Sequence, residues 1–192
     1  MKEIGITGGI GAGKTMVAKV FEHLGYPVYY ADKRAKQLYV ENKNLRFAVL
    51  ALFGTEAFCP DKSLNTAHIA KEVFNNTKRL HQLNALVHPL VSQDYDQWKE
   101  QQTSSLIFKE AAILFETGGH TKLDKSLLVC ADKETRISRV MKRDGVSREA
   151  VLDRMSKQWS DEQKKTCATH VIYNNDNAPI LANLLQLLSD WL

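Results

Sequence analysis

The 192 residues (21.7 kDa) are 44 % hydrophobic and 25 % charged, which fits one compact unit or a core with small insertions and excludes the disordered and collagen-like extremes. Lys and Arg number 26 against 22 Asp and Glu, so the formal charge is +4: enough to favour small anions, too little and too dispersed to argue for nucleic acid. No stretch approaches ~18 consecutive apolar residues, Glu3 stands where a signal peptide wants a basic region, and Cys59, Cys130 and Cys167 share no metal-like spacing; the expectation is no membrane span and reduced thiols in a cytoplasm.

Residues 2–7 are a short apolar-centred run that ends in glycines, and over 14–24 Val17, Ala18, Phe21 and Leu24 recur at helical spacing. The pattern predicts a strand, a Gly-rich turn and a helix. Gly25 stops that helix, and 27–31 reads as a second strand with Pro27 admissible as its first residue. From Asp32 to about residue 102 helical periodicity runs almost throughout, broken at 54–65, where Pro60-Asp61 and polar neighbours mark a loop. This is a helical insertion. Strand character returns at 105–109 and 126–131, across a loop holding Gly118-Gly119, with Cys130 as a small core residue. Residues 132–143 and 147–158 predict two charged helices and 171–173 a last strand. Residues 178–192 predict an amphipathic helix with Leu181, Leu184, Leu185, Leu188 and Trp191 along one side. Strands alternating with helices argue for an α/β fold, a parallel sheet with helices on both faces.

Gly8-Gly9-Ile10-Gly11-Ala12-Gly13-Lys14-Thr15 satisfies G-x-x-x-x-G-K-[ST], after a strand and before a helix. Its glycines let backbone N–H groups face an anion, and the helix N-terminus adds a favourable dipole. Lys14 is placed to reach the β- and γ-phosphates of a nucleotide and the Thr15 hydroxyl to ligate Mg²⁺. The bland alternative is a glycine turn joining strand to helix, and the strand–loop–helix context weighs against it. The motif alone does not separate kinases from GTPases, motor ATPases or regulatory nucleotide binders.

A right-handed β-α-β crossover brings both strand ends to one sheet edge, so Asp32, just after the second strand, falls near the phosphates. It is a base for an acceptor hydroxyl, an N-cap for a helix starting at Lys33, or both. Glu110, after the 105–109 run, reaches the same edge and is a candidate to orient metal-bound water. Asp132 follows an apolar run as a metal-binding acid would, but Asp132-Lys133-Glu134-Thr135 opens a helix; it is assigned to capping and kept out of the metal site. Arg136, Arg139 and Arg143 share one helix face at i, i+3 and i+7. They suit a solvated surface or, as favoured here, a lid that brings arginines to the transferred phosphate. His88-Pro89 lies in apolar sequence, where a lone histidine is more often a hydrogen-bonded core residue than a ligand. Residue chemistry stops at a small-molecule P-loop kinase, with a nucleotide-dependent binding module as the rival class.

These motifs resemble those of the dephospho-coenzyme A kinase family. The likeness starts with Thr7 and the phosphate loop, then Ala31-Asp32, Val73-Phe74, His88-Pro89 and Ile113-Leu114-Phe115-Glu116. It continues through Glu134-Thr135, Arg139, Arg143-Asp144, Arg154 and Gln158 to Val171-Ile172-Tyr173-Asn174. The resemblance implies a P-loop NTPase-like core (about 1–32, 103–135 and 164–192), a helical CoA-binding insertion (about 33–102) and a small lid (about 136–163). It implies transfer of the γ-phosphoryl of ATP, with Mg²⁺, to the ribose 3′-hydroxyl of dephospho-CoA, with no nucleic-acid or membrane partner. Asp32, Lys14, Arg139 and Arg143 would be catalytic. Gly9, Ile10, Gly11, Ala12, Gly13, Lys14, Thr15, Arg139 and Asn174 would bind nucleotide, Thr15 the metal, and Thr7, Asp32, His88 and Glu110 the acceptor side. The sequence departs from the family at Tyr30 (usually Asp), Lys36 (Arg), Ala112 (Pro) and Thr169 (Asp), and Lys36 lacks the bidentate fork of an arginine.

Overall fold

The computed structural model describes residues 1–74, 76–176 and 178–192, in two compact units: Met1–Tyr30 with Gln102–Leu192, and Ala31–Gln101. The first unit is built on a five-stranded parallel sheet of β1 (Lys2–Thr7), β2 (Val28–Tyr30), β3 (Leu106–Glu110), β4 (Lys125–Cys130) and β5 (His170–Tyr173), in the order β2-β3-β1-β4-β5. The chain is therefore α/β, as its alternating pattern requires. Side chains alternate across a strand, so Ile4, Ile6, Leu106, Phe108, Leu127 and Val129 line one face, where α1 (Lys14–His23) and α9 (Ile180–Trp191) cover them. Phe21 stacks on Phe108 with ring centroids 4.1 Å apart, and Trp191 closes the cluster. Leu128 and Cys130, at the alternate positions of β4, pack with Phe115. Ile137 and Val140 of α6 (Lys133–Asp144) meet Val151 of α7 (Arg148–Ser156) in a smaller cluster that also takes Ile10.

Three features differ from the sequence expectation. The last helix does not bury five residues along one side: Leu184, Leu188 and Trp191 face the core, whereas Leu181 and Leu185 are exposed, because a sheet admits only a narrow stripe at i, i+4 and i+7. A short helix, α8 (Asp161–Lys165), stands where the sequence showed only charge. Glu110 is the last residue of β3, not the first beyond it, and its main chain pairs in register with both Ile6 and Tyr30.

The second unit is helical: α2 (Ala31–Glu41), α3 (Lys43–Phe53), α4 (Thr66–Phe74) and α5 (Thr77–Glu100). Asn42 and Asn76 cap α3 and α5 by accepting from the N–H groups of Leu45 and Arg79. Leu38, Leu45, Val49, Phe53, Phe58, Ile69, Leu83 and Val87 form its core. Arg34 on α2 forks onto both carboxylate oxygens of Asp94 on α5, at 2.6 and 3.0 Å, tying the two helices together. Among the described residues no helix is long and apolar enough to cross a membrane.

Candidate active site

β1 delivers the chain at Thr7, which is fully buried, and α1 takes it up at Lys14; residues 8–13 form the loop between. The first helical bond of α1 runs from the Val17 N–H to the Gly13 carbonyl, so the N–H groups of Lys14, Thr15 and Met16 have no intrahelical acceptor and can serve an anion. Gly13 has φ 98°, and a Cβ there would fall on the carboxamide of Asn174. That carboxamide donates to the Ala12 carbonyl at 2.9 Å, so Asn174, just beyond β5, fixes the loop where it enters the helix.

Glu110 sits at the foot of the loop with its side chain 5 % exposed. Its Oε1 accepts from the Thr15 hydroxyl at 3.2 Å and lies 3.4 Å from Lys14 Nζ. Burial would disfavour this carboxylate were the ammonium not beside it. Thr15 and Glu110 thus offer two hard oxygen donors next to a cation. Mg²⁺ in nucleotide sites takes one or two protein oxygens and completes its shell with water and phosphate; the pair suits it. Among the described residues no group of three or more His, Cys, Asp or Glu could hold a metal on its own.

Three of the four departures from the family pattern have a local partner. The Tyr30 hydroxyl donates to Glu22 at 3.0 Å, and burial, then that bond, push the phenol above its ordinary range. The Thr169 hydroxyl accepts from the Ser126 N–H and donates to the Ser126 carbonyl, both at 2.8 Å. An ionised aspartate could only accept, so threonine makes a bond there that the usual residue cannot. The Ala112 carbonyl accepts from Thr7 at 3.5 Å, which places Thr7 in the sheet's packing.

The three arginines of α6 do not share one destination. Arg139 donates to the Asn174 carbonyl at 2.9 Å and to Asp176 at 2.8 Å, beside the loop. Arg143 is turned to its neighbour Asp144, which also receives Arg154, and the two guanidinium groups hold that carboxyl at about 2. Arg136 is buried and points under the loop. Sequence periodicity grouped the three; only the fold separates them. Asp132 occupies the N-cap of α6, but its side chain makes no capping bond, and its N–H donates to Asn175 instead.

In the second unit Asp32 lies inside the first turn of α2, not at its cap, since the helix starts at Ala31. The Lys33 start predicted from sequence is thus two residues late, and Asp32 meets the helix dipole with its charge. Lys36 is exposed on the same helix. His88 is half-buried on α5, and burial lowers its imidazole below the ordinary range.

The family model for dephospho-CoA kinase matches residues 3–179. A dephospho-CoA kinase of Salinibacter ruber is 40 % identical over 178 residues, covering 91 % of this chain and 89 % of the relative. A crystal structure of a Thermus thermophilus protein superposes with a TM-score of 0.84 at 38 % identity, over 98 % of this chain and 95 % of the other. The dephospho-CoA kinase of Campylobacter jejuni gives 0.66 at 25 % identity, over 99 % and 97 %.

Proposed function

The chain belongs to the dephospho-CoA kinase family, and from that premise we propose how its own residues perform the reaction. It transfers the γ-phosphoryl of ATP to the ribose 3′-hydroxyl of dephospho-CoA, giving coenzyme A and ADP. The observation that carries this reading is a match running from β1 through the helical insertion to the residues beyond β5, with the Lys14–Thr15–Glu110 cluster intact at the phosphate loop.

The first-turn N–H groups of α1 receive the β-phosphate, and Lys14 bridges toward the γ-phosphate. Thr15, with Glu110 orienting water, would hold Mg²⁺, which when bound neutralises charge on the β- and γ-oxygens. Asp32 takes the proton of the 3′-hydroxyl as the new O–P bond forms, and the electrons of the breaking β,γ-bridge leave with ADP. Arg139 and Arg143 supply positive charge to the transferred group. His88 and the rest of the helical unit provide the acceptor side, and the nucleotide base lies along Asn174. The three free cysteines fit a reducing cytoplasm.

An acceptor panel tests the assignment: purified protein, MgATP and a coupled ADP readout, with dephospho-CoA, nucleosides, nucleotides and sugar acids offered in turn. ADP release should depend on dephospho-CoA. Equal release with and without it would overturn the reading, and preference for another acceptor would move the chain to the wider class of small-molecule P-loop kinases.

A further inference from the structure

Ile10, at the crest of the phosphate loop, is held at three points by residues far away in sequence. Its N–H donates to Gln158 Oε1 at 2.8 Å, and its carbonyl accepts from Arg136 Nε at 2.9 Å. Its side chain packs on the Ile137, Val140 and Val151 cluster of α6 and α7. Arg136 is in turn fixed by Asp161, whose two carboxylate oxygens each accept from Nη1 at 3.1 Å. The Arg136 side chain is 9 % exposed, and its guanidinium fills the space that Gly9 leaves, since a Cβ at Gly9 would overlap it. Its Nε and Nη1 are engaged within the protein. Asp161 opens α8, a helix of five residues that is too short to persist by itself. Two devices seat it: a capping box between Ser160 and Gln163, and the buried Lys164, whose Nζ lies 3.1 Å from Glu116 Oε1.

We propose that Arg136, locked by Asp161, is a positioning residue that holds the phosphate loop in its anion-accepting shape before nucleotide arrives. The inference rests on the kinase reading for what the loop binds. An arginine is needed because one planar group must donate from Nε to the Ile10 carbonyl and from Nη1 to a carboxylate at once; lysine offers a single nitrogen. A loop already ordered does not spend binding energy on ordering itself, so affinity for the diphosphate of the nucleotide carries the benefit. Transition-state charge is met elsewhere, by Lys14 and Arg139. The loss on removing Arg136 should therefore appear in nucleotide binding and leave the chemical step largely intact.

The experiment compares Arg136→Met, Arg136→Lys, Asp161→Asn and the double variant Arg136→Met/Asp161→Asn, each as the full chain. MgADP affinity is read by calorimetry, KM for ATP and for dephospho-CoA and kcat by the coupled assay, and folded fraction by thermal melting. Arg136→Met should weaken MgADP and raise KM for ATP by roughly tenfold or more, with kcat and KM for dephospho-CoA within about threefold. Asp161→Asn should give a smaller loss of the same kind, Arg136→Lys an intermediate one, and the double variant no more than Arg136→Met alone. Unchanged MgADP affinity in the folded variants, or losses from the two sites that simply add, would overturn the proposal. Should Arg136→Met fail to fold, Arg136→Lys and Asp161→Asn decide it by the same comparison. Because the affinity arm uses MgADP without an acceptor, it stays decisive even where the acceptor assignment fails.

Discussion

Lys164, with no solvent exposure, sits 3.1 Å from Glu116 Oε1, and that same oxygen accepts from the Trp159 N–H at 3.2 Å. The ammonium and carboxylate neutralise each other at a site where either alone would be costly. Breaking a buried pair from one side typically destabilises by about 3–5 kcal/mol, because the remaining charge stays desolvated. Lys164→Met should therefore lower stability by an amount of that order, read as a shift of the urea midpoint at constant slope. Adding Glu116→Gln removes the stranded charge while keeping an acceptor for Trp159, so the double variant should recover most of the loss. A single variant within about 1 kcal/mol of wild type would mean that water reaches the pair.

Arg139 and Arg143 are separated by the same helix that aligns them in sequence. Arg139 is held at the loop by the Asn174 carbonyl, whereas Arg143 is 63 % exposed and paired with Asp144. Arg139→Ala should lower kcat on the order of 10²-fold, as removal of other electrostatic stabilisers does, with a smaller effect on KM for dephospho-CoA. Arg143→Ala should cost less, since its guanidinium must first leave Asp144. Equal losses in the two variants would put Arg143 on the transferred phosphate as fully as Arg139.

How much of this was legible in the sequence depended on how local the physics is. The phosphate loop could be read because its glycines, Lys14 and Thr15 act over eight consecutive residues between a strand and a helix. The central strands β1, β3 and β4 could be read because burial on both faces leaves continuous apolar runs. The partners of Ile10 could not: Gln158 and Arg136 are 148 and 126 residues away, and nothing in their neighbourhoods marks them as loop contacts. Lys164 was illegible for a related reason. In Asp-Glu-Gln-Lys-Lys it looks like solvated charge, and only the packing of α8 beside Glu116 makes it core. The boundaries of α2 and β3 each moved by a residue or two, which changed Asp32 from a cap to a first-turn acid and brought Glu110 into the sheet.

His88 gives the fold a pH dependence of definite sign. Burial lowers its imidazole from the ordinary 6.5 in the folded state. As pH falls, the unfolded chain therefore takes up the proton first. The stability contributed by the neutral ring is complete above about 6.5 and is lost as pH falls through the lowered folded-state value. Unfolding free energies measured between pH 7 and 5 should decline, and His88→Gln should remove part of that slope. His170, lowered by burial and by Lys125 against the opposing pull of Asp190, retains its own share in the variant. Superimposable profiles for wild type and His88→Gln would assign the decline entirely to other groups.

Asp32 separates catalysis from helix stability most cleanly. It stands in the first turn of α2, so its charge meets the positive end of the helix dipole, a contribution of about 0.3–1 kcal/mol at an exposed position. Asp32→Asn keeps the shape and loses the charge, so melting should shift only slightly. The same substitution removes the carboxylate that, in the proposed mechanism, accepts the proton of the 3′-hydroxyl. General-base catalysis is typically worth about 10² to 10⁴-fold, and on the proposed mechanism, in which the carboxylate serves the acceptor, kcat should fall within that range while KM for ATP changes little. In the case of a transition state loose enough that proton removal comes late, the loss would sit at the low end of the range and Asp32 would act chiefly by orienting the hydroxyl. Melting and kcat must be measured on the same preparation. Near-wild-type values of both would reduce Asp32 to a helix-terminal charge and remove it from the chemistry.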